Sequence, residues 1–395
     1  MQRLNHFREK RDQRIDYGII LSVMLLALIS ILTILSTTYI QPDNGSLLPA
    51  IMQLVWYAVG IAAVIVIMLF DSEQLWKLAP VVYGIGLALL VLVLIFYDRA
   101  TFESNGARSW FRIGSLSFQP SEIFKIALII MLARVVTEHN LEHKDRTIHT
   151  DWVLFGKICL FTFPGLFLVI IQNDLGTTLV LLAIFVGILM MSGISWRILL
   201  PFFLSIVAIG AILIYIVVVD RELLLKIGFK NYQFARIDSW LNPYSDQSGD
   251  GFQLFQSMKA IGSGQLLGKG FGQSDVYVPV RESDMIFSTI GENFGFVGGC
   301  VLLLIYFILI YQMVRICFDT KNEFYAYIAA GVICMILFHI IENVGMSIGL
   351  LPLTGIPLPF ISRGGSALVG NMMGIGLMMS MRYHYNSSMF EDNEL

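Results

Sequence analysis

The sequence predicts an all-α polytopic integral membrane protein with about ten transmembrane helices and one long extracellular loop between the seventh and eighth. Three observations carry this. Of 395 residues, 56% are hydrophobic and only 14% charged, against about 25% charged in ordinary soluble domains. The charges are clustered, with 8 in the first 16 residues and 15 between Asp220 and Asp284. Between the clusters lie apolar runs of the length that crosses a bilayer, about 20 residues.

The elements follow in order. Residues 1–16 are a charged tail. Apolar runs at 17–40, 49–70, 76–97, 118–136, 153–172, 176–192 and 197–219 give spans one to seven. The first run is too long for a signal-peptide core and lacks a small-residue cleavage site. Pro120 suits the first position of the fourth helix and Glu122 its first turn, where the helix dipole favours an anion. Gln172-Asn173-Asp174 leaves room only for a tight turn between the fifth and sixth. Residues 220–284 form the long loop, in which Phe252, Leu254, Phe255, Met258, Ile261, Leu266 and Leu267 fall at near-helical spacing. That pattern predicts short amphipathic helices on the membrane surface, with turns at Asn242-Pro243 and at Ser248-Gly249-Asp250-Gly251. Runs at 285–314, 324–350 and 361–381 give the last three spans, and 382–395 a tail.

Orientation follows from the basic residues. With the N-terminus in the cytoplasm, fourteen Lys and Arg fall in inner segments and only Arg99, Arg108, Arg112 and Arg363 in short outer loops. The positive-inside rule therefore predicts both termini cytoplasmic and the long loop outside, where its own charges do not count.

Composition also excludes. A net charge of −3 without a basic run gives no footprint for nucleic acid. Cys159, Cys300, Cys317 and Cys334 lie in or beside apolar runs without metal-ligand spacing, as packing residues do.

Several polar groups inside or beside the spans stand out, because a charge there is costly unless paired or wet. Glu122 and Lys125, three apart, share a helix face and can pair, with Asn105, Arg108, Trp110 and Arg112 just upstream; a helix start explains Glu122 equally well. Asp174 is either a helix cap or a site residue. His339, Glu342 and Asn343 share a face, as a proton relay or an interhelical hydrogen-bond cluster. Arg363 follows Pro352, Pro357 and Pro359 and precedes Gly364-Gly365. The loop Gly262–Gly270 fails the nucleotide-binding pattern, yet its amides beside Lys269 are able to hold another anion. Asp284 ends a polar stretch just before a span, as a helix cap or a functional carboxylate. Together they describe an outward-facing site for an amphiphilic, phosphate-bearing lipid, acted on by an enzyme or moved by a transporter. A transporter places such groups at the bilayer midplane, whereas here most fall at outer helix ends, which favours the enzyme.

The ordered blocks Asn105–Trp110, Phe118–Glu122 with Lys125, Asp174–Thr177, Arg236 with Asn242-Pro243, Gln256-Ser257, Ala260–Gly264, Gly268–Gly270, Asp284 with Ile286-Phe287, and Gly349–Phe360 with Ser362 and Gly364-Gly365-Ser366 resemble the bacterial SEDS family (shape, elongation, division and sporulation) over nearly the whole chain. The resemblance implies ten helices and a peptidoglycan glycosyltransferase that polymerises lipid II and releases polyprenyl diphosphate, with Asp284 as catalytic base. It implies substrate contacts among Arg108, Trp110, Glu122, Lys125, Asp174, Lys269, Arg281 and Ser362, and a divalent cation (Mg or Mn) as a possible companion of the diphosphate. The implied partner is a class B penicillin-binding protein, and the implied place the bacterial plasma membrane. The Ile356–Ile361 wording and short tail look more like the RodA branch than the FtsW division branch; a lipid II flippase is the runner-up. This chain departs from the family pattern at Asn173 (commonly Pro), at Glu282-Ser283 (commonly His-Thr) and at Arg363 (commonly Tyr or Gln).

Overall fold

The computed structural model describes residues 15–40, 47–114, 116–219, 231–244, 249–320 and 322–391. The tail basic residues Arg3, Arg8, Lys10, Arg11 and Arg14, together with Lys321 and Ser248, lie outside them. The helices are α1 (Tyr17–Ile40), α2 (Leu48–Met68), α3 (Ser72–Ile95), α4 (Arg99–Asn105), α5 (Pro120–Glu142), α6 (Ile148–Ile171), α7 (Leu175–Met191), α8 (Trp196–Val219), α9 (Asn231–Leu241), α10 (Asp250–Ser263), α11 (Ile286–Asp319), α12 (Glu323–Ser347) and α13 (Gly365–Glu391). Strands β1 (Phe111–Ile113) and β2 (Leu116–Phe118) make a small antiparallel hairpin, Phe111 opposite Phe118, that leads into α5. Each of the ten runs expected to span coincides with a helix.

Seven of these helices are long and apolar enough by themselves to cross a membrane: α1, α2, α3, α6, α8, α11 and α12. The α7 helix is apolar but shorter. The α5 and α13 helices are less apolar because they are central. Almost all of α5 is buried, packed against α3, α6, α7, α12 and α13, while α13 lies along α2. A helix that meets protein on all sides does not need to be as greasy as one that meets lipid. Phe124 on α5 sits against Gly86 of α3 and Gly165 of α6, where a larger residue would collide with its ring.

Sequence chemistry sets the helix ends. Pro120 occupies the first turn of α5. The Asp174 carboxylate accepts from the Thr177 backbone at 2.9 Å and closes the α6–α7 turn, with Asn173 in the left-handed region at φ 60°. Asp71 and Gln74 form a reciprocal capping box on α3.

The long loop is built onto the bundle. Leu254, Ser257 and Ala260 of α10 are buried, and α10 packs on α11 and α12. The Ser257 hydroxyl donates to the Ser347 carbonyl at 2.9 Å and the Trp240 indole to the Gly349 carbonyl at 3.1 Å. The 34 residues of α11 form two helical stretches, 286–294 and 296–319, the second about 36 Å long and enough for the roughly 30 Å hydrocarbon core. The helix is broken at Gly295, whose φ of 65° and ψ of −162° are open to glycine and costly for other residues. The glycine loop after α10 fills the break: Lys269 N–H donates to the Glu292 carbonyl (2.9 Å), Gly270 N–H to Asn293 (3.1 Å), Phe296 N–H to Gln265 (2.9 Å) and Val297 N–H to Leu266 (3.1 Å).

Inside this splice lies Glu292, fully buried. Its carboxylate accepts from Arg281 Nη2 (2.6 Å), Ser274 Oγ (2.7 Å), the Asp275 backbone (3.1 Å) and Lys269 Nζ (3.2 Å). Arg281 is itself 1% exposed and also donates to Ser274 Oγ and the Val276 carbonyl, both at 2.8 Å. Removing one member of a buried pair strands the other charge, at a cost of about 3–5 kcal/mol. Arg281→Met should therefore lower the melting temperature of detergent-solubilised protein far more than Lys269→Met, because Lys269 is the more exposed partner and shares itself with Asp275 at 2.9 Å. Equal melting of the two variants would contradict the central place of the Arg281–Glu292 pair.

Candidate active site

A cavity of about 440 Å³ opens where the ends of α5, α7 and α13 meet the loop segments, within the ordinary size range of small-molecule sites. Its wall carries the carboxylates Glu122, Asp174 and Asp284, the cations Lys125, Arg236 and Arg363, the neutral polar groups Gln119, Thr177 and Thr354, His339, and one aromatic, Trp110.

The floor is a buried ion pair. Lys125 Nζ lies 2.7 Å from Glu122 Oε2, the two one helical turn apart as their spacing requires. His339 of α12 accepts the lysine from the other side at 3.3 Å. Its Nδ1 lies 2.6 Å from the Met335 carbonyl, which assigns the ring proton to Nδ1 and leaves Nε2 as acceptor. One flank is Asp174. While capping α7 it also accepts from Gln119 Nε2 at 2.7 Å and from Thr177 Oγ1 at 2.9 Å. Both readings of Asp174 thus meet in one side chain: it caps a helix and it lines the cavity.

Asp284 does not cap. The residue before α11 is Met285, and no side chain closes that helix end. The carboxylate instead belongs to the cavity wall, and a Cβ built on Gly355 would come within 3.4 Å of Oδ2. Gly355 has φ 76°, so any side chain there would be strained as well as close. Desolvation at this position pushes the Asp284 pKa up from 3.8 to about 7, opposed by a hydrogen bond with Ser283. The backbone beneath it is tied at three successive carbonyls. Arg363 N–H donates to Glu282 (2.8 Å), Ser362 Oγ to Ser283 (2.7 Å) and Asn343 Nδ2 to Asp284 (2.7 Å). The ties end in a turn at Val280, which holds φ 50° and lines the cavity.

Of the expected site residues, the cavity wall contains Trp110, Glu122, Lys125, Asp174 and Asp284. Four are placed elsewhere. Lys269 and Arg281 are turned to Glu292, and in the Gly262–Gly270 loop the Lys269 and Gly270 amides bond to α11 while those of Gly264, Gln265 and Gly268 bond to the carbonyls of Ile261, Gly262 and Gly264. Arg108 stacks on Tyr97 and Phe102, 5.3 and 5.0 Å from the ring centres. Ser362 is buried and spends its hydroxyl on the Ser283 carbonyl and the Leu358 N–H, so it positions the Asp284 segment. Sequence reading had no role for Gln119, Thr177 or Thr354. Their place in the blocks Phe118–Glu122, Asp174–Thr177 and Gly349–Phe360 was the hint to them. The His339–Asn343 face divides: His339 serves the lysine, Asn343 the Asp284 segment, and Glu342 accepts from Thr354 Oγ1 at 3.0 Å.

The family model described as cell cycle protein, covering FtsW, RodA and SpoVE, matches residues 15–387. This chain belongs to that family. Stage V sporulation protein E of Bacillus subtilis is 32% identical over 372 residues, 93% of this chain and 96% of the relative. Peptidoglycan glycosyltransferase MrdB of Escherichia coli is 33% identical over 331 residues, 83% and 84% of the two chains. Among solved structures, a chain of a peptidoglycan synthase complex described as coordinating polymerization and crosslinking superimposes with a TM-score of 0.76 at 26% identity, covering 94% of this chain and 98% of that one. The rod shape determining protein RodA of Thermus thermophilus gives 0.65 at 25%, covering 94% and 97%. The FtsW/RodA/SpoVE fold is thus shared over nearly the full length.

The raised pKa of Asp284 has a consequence for stability. A folded-state pKa above the unfolded value means the folded chain binds more protons between about pH 4 and 7, so this group's contribution is complete below that window and lost as pH rises through it. Asp284→Asn removes the penalty. The variant should melt higher than wild type at pH 8 and match it near pH 4, read by thermal unfolding at both pH values; a lower melting point at pH 8 would contradict the desolvated carboxylate.

Proposed function

We propose that this chain is a peptidoglycan glycosyltransferase of the elongation type, polymerising lipid II with Asp284 as its general base. The observation that carries the reading is that Asp284, the one cavity carboxylate with neither a cation nor a capping duty among the described residues, has a pKa near that of a working base. Family membership and relatives named as peptidoglycan glycosyltransferases support the activity. The RodA likeness and the Ile356–Ile361 wording support elongation over division.

The chemistry asks little more. The growing strand is α-linked to polyprenyl diphosphate, and the 4-hydroxyl of lipid II attacks its anomeric carbon. The new O4–C1 bond forms on one face as the C1–O bond to diphosphate breaks on the other. Asp284 takes the hydroxyl proton, and the leaving diphosphate keeps the electron pair. A single displacement inverts α to β, with no carboxylate nucleophile, as in inverting glycoside cleavage. The 4-hydroxyl is too weakly acidic to ionise in advance, so the base acts as the bond forms. Lys125, oriented by Glu122 and His339, places positive charge in the same cavity. Among the described residues no group of three or more His, Cys, Asp or Glu assembles. Among the same residues, Asp174 and Asp284 are the cavity carboxylates without a paired cation and would be the residues to hold Mg²⁺ or Mn²⁺, whose charge would offset that of the diphosphate.

The partner we propose is a class B penicillin-binding protein that crosslinks the new strand; the likeness to a chain of a polymerization and crosslinking complex supports it. The place is the bacterial plasma membrane with both termini cytoplasmic, supported by the basic-residue asymmetry.

Two outcomes are expected. Asp284→Asn should reduce glycan polymer from lipid II by about 10² to 10⁴, the usual contribution of a general base, and wild-type rate should climb with pH through about 7 as the base ionises; full polymer yield from the folded variant would remove Asp284 from the chemistry. For orientation, cysteines placed at the exposed Gln273 and Asp145, in a chain without native cysteines, should be labelled in intact cells and only after permeabilisation, respectively. Labelling of Asp145 alone would invert the topology.

A further inference from the structure

Two charged side chains meet at the edge of the site: Arg363 Nη1 donates to Glu282 Oε1. The same two residues are joined through the main chain, Arg363 N–H to the Glu282 carbonyl. Arg363 lines the cavity with its side chain 44% exposed, and Glu282, 29% exposed, stands behind it.

The remaining cations are committed elsewhere. Lys125 is buried between Glu122 and His339, Lys269 and Arg281 belong to Glu292, Arg108 is stacked on aromatic rings, and Arg236 is engaged by other residues. A guanidinium presents five N–H donors in a rigid fork suited to phosphate oxygens. Glu282 takes one edge of it and holds it in place, and the described residues give the guanidinium no second partner.

We propose that Arg363 is a diphosphate-binding residue at the cavity rim, with Glu282 as its tuner; this rests on the reading that the substrate is a lipid-linked sugar diphosphate. The carboxylate both orients the guanidinium and competes with the diphosphate for it. Removing the arginine leaves a bare carboxylate facing an incoming anion, so binding weakens. Removing the glutamate charge frees the guanidinium, so binding tightens. A tie that merely held two segments together would instead make the two variants behave alike.

The test is a double-mutant cycle with inorganic pyrophosphate as probe, its affinity read from thermal stabilisation of the purified chain, alongside KM for lipid II. Arg363→Gln should weaken pyrophosphate binding and raise KM by about tenfold, the scale of one charge-assisted hydrogen bond. Glu282→Gln should shift both the other way, and the double variant should resemble Arg363→Gln. Arg363→Lys, which keeps charge without the fork, should fall between, and melting points without ligand show which variants are folded. Unchanged pyrophosphate affinity in Arg363→Gln, no pyrophosphate binding by wild type, or equal weakening in Arg363→Gln and Glu282→Gln would each overturn the proposal. Polymer from lipid II with no Arg363 dependence would sink this subsite alone. Arg363-dependent pyrophosphate binding without polymer would keep the subsite and sink the polymerase reading.

Discussion

A broken helix beside a bilayer has to have its free backbone groups satisfied by protein, and the rest of this structure is arranged around meeting that demand at Gly295. The glycine loop that supplies the missing partners also delivers Lys269 to Glu292, and the chain that follows delivers Ser274 and Arg281 to the same carboxylate. Once those are fixed, the path from Val276 to Asp284 has little freedom left. Val278 and Met285 are buried with Ala260 and Leu353 in a small core of their own. The Asp284 carboxylate is therefore placed by a break in the fold some ten residues away.

The cavity separates charges that are spent from a charge that is kept. Glu122 with Lys125, and Glu282 with Arg363, are ion pairs, and Asp174 serves three neutral donors. Pairing keeps a polar cavity affordable at the end of an apolar bundle, because each unpaired charge there costs energy. Asp284 has no such compensation, and its lifted pKa expresses the imbalance. A carboxylate that prefers its proton is matched to taking one from a substrate hydroxyl, the role proposed for it. In that role the stability forgone and the chemistry gained share one cause.

Much of this was legible in the sequence, since each apolar run coincides with a helix, seven of them long and apolar enough to cross a membrane, and spacing paired Glu122 with Lys125. Pro120 and Asp174 showed helix ends because their roles are local. What spacing could not convey was tertiary competition. Lys269 and Arg281 read as anion ligands because the carboxylate that claims them, Glu292, is a single acid inside an apolar run of the next helix. Arg108 read as a substrate cation, yet Tyr97 and Phe102 are brought alongside it by the short helix α4. Gln119, Thr354 and Ser362 lie in blocks that resemble the family, but nothing in their spacing says what they touch. Their meaning comes from the close approach of β2, α5 and the 352–364 segment, which only the folded chain displays.

The three ties beneath Asp284 grip carbonyl oxygens, and every residue type offers the same carbonyl. The mooring is therefore blind to the side chains at 282 and 283, and the burden of specificity passes to Asn343 and Ser362 on the other side. Substitution at 282 and 283 can recolour the rim of the site while the carboxylate stays in register. A chain built this way can accept new rim chemistry beside Asp284 without having to relearn where that carboxylate belongs.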